Sequence, residues 1–163
     1  MSNSEQQKST DQMLNEKVFP AIILVLSVVA FILYFVEDFA AWYQSPSTKF
    51  IWMWSKYHPW SFTFLLPLAV AFAFIGFQSV MTLLKPESKW ANRDNMNFLL
   101  SAVIVIITII AGIVFNVVLV IWDPSDWWLS TNFYSGLIAG GLNALFSYLI
   151  MRGRGEKIKL KLR

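Results

Sequence analysis

Long charge-free apolar runs alternate along the chain with short polar intervals. Val18 to Val36 carries no charged residue and ends at Glu37-Asp38. Trp60 to Leu84 ends at Lys85-Pro86, Asn95 to Trp122 at Asp123-Pro124, and Trp127 to Met151 at Arg152. A helix needs roughly 20 mostly apolar residues to cross the hydrocarbon of a bilayer, and each run is about that long or longer. In lipid the backbone must satisfy itself, which a helix does within one segment. The runs also lack the alternation of barrel strands. The pattern predicts an all-α membrane protein with four transmembrane helices, at about 18–36, 60–84, 97–122 and 129–151. They form one bundle over 18–151, between a disordered polar tail at 1–17 and a basic tail at 152–163. The mixed charge of the leading segment, with no small-residue cleavage site after the first run, predicts an uncleaved anchor and not a signal peptide. Pro20 should sit in the first turn of the first helix, where its missing N–H costs nothing. Pro67 lies inside the second helix and should kink it or loosen a turn.

Composition agrees with the pattern. Of 163 residues, 56% are hydrophobic and 14% charged, against about 25% charged in a soluble domain. The absence of cysteine excludes disulfides and thiol chemistry, and the lone His58 cannot build a multi-histidine metal site.

Charge placement predicts orientation. In a four-span chain, Lys8, Lys17, Lys85, Lys89 and Arg93 fall on one side, together with the C-terminal Arg152, Arg154, Lys157, Lys159, Lys161 and Arg163. Lys49 and Lys56 fall on the other. Eleven basic residues against two place both termini in the cytoplasm, with the bundle in the bacterial cytoplasmic (inner) membrane.

Tryptophan sorts the opposite way. Trp42, Trp52, Trp54, Trp60, Trp122, Trp127 and Trp128 fall on the outer side, and Trp90 alone on the inner. They suit an interfacial belt against membrane lipids, with Lys49 to His58 lying in the interface plane. The same aromatics would also suit a docking surface for a partner or hydrophobic ligand. Glu37, Asp38, Asp123 and Asp126 form either an acidic rim there or solvated helix ends.

Within the spans, small and polar residues recur at helical spacing. The fourth has Gly136, Gly140 and Ala144, with Asn143 and Ser147 beside them. The second has Ala69, Ala73 and Gly76. The third has Ser101, Thr108, Gly112 and Asn116 within a narrow arc. Helices approach closely in lipid through such stripes. The stripes face one another or a second copy in a homo-oligomer; periodicity leaves both open. Asn116 and Asn143 are the most polar groups at depth, suited to interhelical hydrogen bonds or to a pore lining.

After the last run, Gly153 and Gly155 suggest a flexible joint. From Lys157 the tail alternates basic and apolar with period two, which is strand-like. It suits anionic headgroups or an added edge strand on a cytoplasmic protein partner, and nucleic acid poorly.

No Asp, Glu, Lys, Arg or His lies inside a run, and spacing supports no Ser–His pairing, carboxylate pair or glycine-rich phosphate loop. Enzyme activity, catalytic or metal residues and a cofactor are therefore not expected. Two functional expectations follow. The first is a non-enzymatic multi-pass inner-membrane protein acting by helix association and protein interaction: a subunit of a membrane complex, or a sensor-anchor in immunity or antiviral (phage) defence. The alternative is an oligomeric pore-forming, membrane-permeabilising protein, holin-like or a defence effector, whose copies line a path with Asn116, Asn143, Thr108 and the glycine faces.

Overall fold

Four long helices dominate the computed structural model, which describes residues 13–44, 46–55, 59–122 and 126–158. They are α1 (Phe19–Val36), α2 (Pro59–Leu84), α3 (Asp94–Trp122) and α4 (Thr131–Gly153). Each contains a stretch long and apolar enough to cross a membrane. Their outer faces are apolar, unlike those of a soluble bundle, and polar side chains share the interior with the apolar core. Val25, Val28 and Ile32 of α1 and Ile106, Ile110 and Ile113 of α3 are exposed. Ser27, Gln78, Ser101, Thr108, Asn143 and Ser147 are buried. In water such an exterior would be driven to associate; against lipid tails it costs nothing. The architecture is that of a multi-pass transmembrane protein.

The helical path begins earlier than the apolar run suggests. Leu14–Val18 forms a π-helical turn leading directly into α1, and the Phe19 N–H bonds to the Leu14 carbonyl. The last residues of the expected disordered tail are thus helical, while residues 1–12 lie outside the described residues. Pro20 sits in the first turn of α1, as expected, directly after that π turn. A proline within a helix removes one backbone bond and crowds the carbonyl four residues back; the wider π turn preceding Pro20 accommodates it. Pro67 lies on an exposed face of α2, which continues through it.

In the bundle, α1 packs against α2 and α4, α3 packs against α4, and α2 meets α3 over a smaller area. At one end sits a small antiparallel sheet that corrects the all-α expectation. Its strands are β1 (Asp38–Gln44), β2 (Ser47–Trp52) and β3 (Trp127–Leu129), in the order β2-β1-β3. Trp42 is paired with Lys49 across one edge of β1 and with Trp127 across the other. The part of 49–58 expected to lie flat in the interface is a strand as far as Trp52, followed by a turn; Lys56 to His58 lie outside the described residues. Aromatic and β-branched side chains suit a strand as well as an interface. Here pairing with β1 also satisfies the backbone, which an isolated interfacial segment would leave to solvent.

Both described chain ends meet at the opposite, tail end of the bundle, since Glu16, Lys17, Arg154 and Glu156 line one cavity there. The joint after α4 is a defined cap. Gly155 takes φ 70°, a backbone that suits glycine. Its N–H bonds to the Arg152 carbonyl, and the Glu156 N–H bonds to the Met151 carbonyl. This is the paired pattern of a Schellman ending.

Candidate functional site at the tail end and the polar core behind it

The loop after α2 folds back on the helix that precedes it. Asn92 adopts φ 55°. Its N–H bonds to Thr82 Oγ1 at 3.0 Å and its Nδ2 donates to the Pro86 carbonyl at 3.1 Å. This presents Asn92 Oδ1 to Arg154 Nη2 at 2.9 Å. Arg154 Nη1 donates to Asp94 Oδ2 at 2.5 Å. Asp94 is buried in the first turn of α3, where the free N–H groups of a helix start favour a carboxylate. One ion pair thus ties the segment after α4 to the start of α3.

Beside this pair opens a cavity of about 510 Å³, lined by Glu16, Lys17, Thr82, Asn92, Arg154 and Glu156 among others. Its wall carries both signs of charge. Trp90 flanks this end, with the Lys89 ammonium 5.6 Å and the Arg93 guanidinium 5.3 Å from its ring.

Behind the cavity the core is layered. A Cβ placed on Gly136 would fall 2.5 Å from Thr108 Oγ1 and 2.6 Å from the Tyr34 hydroxyl. One on Gly140 would fall 3.0 Å from Val105 and 3.3 Å from Ile104. The α4 glycine stripe therefore packs on α3 within the same chain. Gly112 of α3 in turn faces the Phe133 ring. Asn143 Nδ2 donates to Ser27 Oγ at 2.9 Å, joining α4 to α1. Ala144 is half-buried beside it. Asn116 does not join this set: it is exposed. Gly112 already lies level with the first turn of α4, so residue 116 projects past the end of the helix that covers its face.

The sheet end is closed by aromatic rings. Phe39 of β1 inserts between three helices, its ring 5.2 Å from Phe64, 5.3 Å from Phe115 and 5.7 Å from Phe133. Asn132 Nδ2 donates to the Glu37 carbonyl at 2.6 Å, fastening α4 to the end of α1. Trp52, Trp54 and Trp128 are exposed around this end, and Trp42 and Trp127 are partly covered. Trp60 and Trp122 lie in the end turns of α2 and α3 nearest the sheet. Glu37, Asp38 and Asp126 are also at this end; Asp123 lies outside the described residues.

Of the basic tail, Arg152 and Lys157 are exposed, whereas Arg154 is held by Asp94. Lys157 and Ile158 have no regular structure. The strand expected beyond them, with Lys159, Lys161 and Arg163, lies outside the described residues.

Sequence reasoning missed the Asp94–Arg154 pair and the Phe39 hub. The first had a usable signal: an acid opens the third run and a base follows the fourth, so opposite charges mark two helix ends on one side. The second had none, because a single phenylalanine in an aromatic chain does not announce its partners. No family model, curated protein or solved structure matches the chain.

Proposed function

We propose that the chain is a non-enzymatic, multi-pass protein of the bacterial cytoplasmic membrane, with both termini cytoplasmic. It acts by protein interaction at its tail end, as a subunit of a membrane complex or as the sensor-anchor of an immunity or phage-defence system. The observation that carries this is the self-contained packing of the bundle. Gly136, Gly140, Asn143, Thr108 and Gly112 are used inside one chain. What is left for a soluble partner is the charged cavity and the exposed Arg152 and Lys157, while a second copy would have to meet the outer Val and Ile faces. The orientation rests on the basic residues gathered at the tail end. The same packing counts against a pore lined by glycine faces between copies, because those faces are already occupied.

Protein expressed in a bacterium, with a photo-crosslinking residue at Arg152, tests this. The expected result is normal growth, an intact membrane potential and a discrete cross-linked partner that disappears when Lys157, Lys159 and Lys161 are changed to Gln. Loss of potential on induction, abolished by Gly140→Leu, would instead establish the pore-forming alternative.

A further inference from the structure

The contacts of α4 set a register through the core. Gly136 meets Thr108 and Gly140 meets Ile104, so the antiparallel α3 brings Ser101 level with Asn143 and Asn97 level with Ser147. Ser27 joins the Asn143 level by its hydrogen bond, and its Cβ lies 3.4 Å from the Cβ position of Gly76 on α2. Gln78 follows Gly76 toward the tail end. Thr82, one turn further, lines the cavity. From Thr82 toward the sheet end come two successive levels of amides and hydroxyls, with Ile150 and Met151 buried one turn of α4 nearer the tail end. On the far side of them, Ala30, Phe72 and Ile104 form an apolar level, and then come Tyr34 and Thr108.

These polar groups are not closed on themselves. Ser79 and Thr82 bond to carbonyls of their own helix, at 3.1 Å and 3.0 Å. Ser101 Oγ, Ser147 Oγ, Asn97 Oδ1, Asn143 Oδ1 and both amide atoms of Gln78 have no protein partner. All five side chains are at most 3% exposed. Groups buried in this way meet a polar partner or impose a heavy cost. Polar sites with several convergent donors and acceptors hold water. The lining carries no charge, which disfavours ions, and it offers donors and acceptors together, which suits neutral hydroxyl- or amide-bearing molecules.

We propose that the two levels from Asn97 to Asn143 form an aqueous vestibule, entered from the tail-end cavity and ending at Ala30, Phe72 and Ile104, that admits water and small neutral hydrogen-bonding solutes. The apolar level is its closed end, and the Phe39 cluster seals the bundle beyond it.

The cysteine-free chain allows a direct test. Single variants Ser147→Cys and Ser101→Cys are embedded in membrane vesicles and treated with hydroxyethyl methanethiosulfonate, a small neutral thiol reagent. Ala139→Cys, beside the apolar level, and Val103→Cys, on the outer face, are the references. A thiol reacts as its thiolate, which needs water at the sulfur. Both serine positions are expected to react at least tenfold faster than both references, with Thr108→Cys as slow as Ala139→Cys. Asn97→Cys reads the upper level should Ser147→Cys fail to assemble. Serine positions no faster than Ala139→Cys would overturn the vestibule, and Thr108→Cys reacting as fast as Ser101→Cys would overturn its closed end. Neither result depends on whether a protein docks at the tail end.

Discussion

Gly136 and Gly141 lie on the same helix and respond in opposite ways to one methyl group. At Gly136 a Cβ would collide with the Thr108 and Tyr34 hydroxyls, on two different helices. Overpacking of this kind costs about 1–3 kcal/mol, so Gly136→Ala should destabilise the bundle by that amount. At Gly141 nothing lies within 4 Å of the added carbon. Gly141→Ala should therefore stabilise by roughly 0.5–1 kcal/mol, the usual helix-interior difference between the two residues. Unfolding of the purified protein in mixed detergent with SDS measures both. Arg154 gives a second residue-level prediction. Arg154→Met leaves the Asp94 carboxylate, whose side chain is 4% exposed, without its cation. Because Arg154 itself is 23% exposed, the loss should fall below that of a fully buried pair, at about 1–3 kcal/mol. Adding Asp94→Asn should recover part of it; additive losses would show that the pair contributes nothing. The glycine stripe was legible in the sequence as a packing face, because spacing alone places Gly136, Gly140 and Asn143 on one side of a helix. Its partner was not, because periodicity carries no information about which helix lies opposite. Asn116 shows the limit: it shares an arc with Thr108 but extends past the helix that covers that arc.

The four helices were legible because each is a long run free of charge, a signal that owes nothing to neighbours. The sheet was not. Its strands are short, its pairing joins Trp42 to Trp127 across two helices, and its aromatic residues look the same in a strand as in an interfacial segment. Phe39 is the element's anchor. Phe39→Ala removes the ring that touches α2, α3 and α4 together, at a cost of about 3–5 kcal/mol. The sheet should loosen before the helices do. Limited proteolysis should then cut within 38–52 in the variant but not in the parent, while cross-linking between the tail-end segments stays unchanged. Cuts at both ends of the bundle would show that the ring supports the whole molecule and not the sheet alone.

The molecule as a whole is marked by one inversion: serine, threonine, asparagine and glutamine are buried beside the apolar core, while many valines and isoleucines face outward. That inversion was legible in part, since small and polar stripes stood out within three of the runs. The levels into which they assemble needed the antiparallel register of α3 and α4 and the Ser27–Asn143 bond. An exterior of this kind is stable where lipid tails replace water. It requires the sheet end and the tail end to face opposite sides of a membrane, and the proposed orientation puts the basic tail end on the cytoplasmic side. Single cysteines at the exposed positions Ser47, in β2, and Arg152, at the end of α4, report this directly when intact bacteria are treated with a membrane-impermeant maleimide. Ser47→Cys should label in intact cells and Arg152→Cys only after the membrane is opened. Labelling of both from the same side, or recovery of the chain as a folded protein in the detergent-free soluble fraction, would contradict the account.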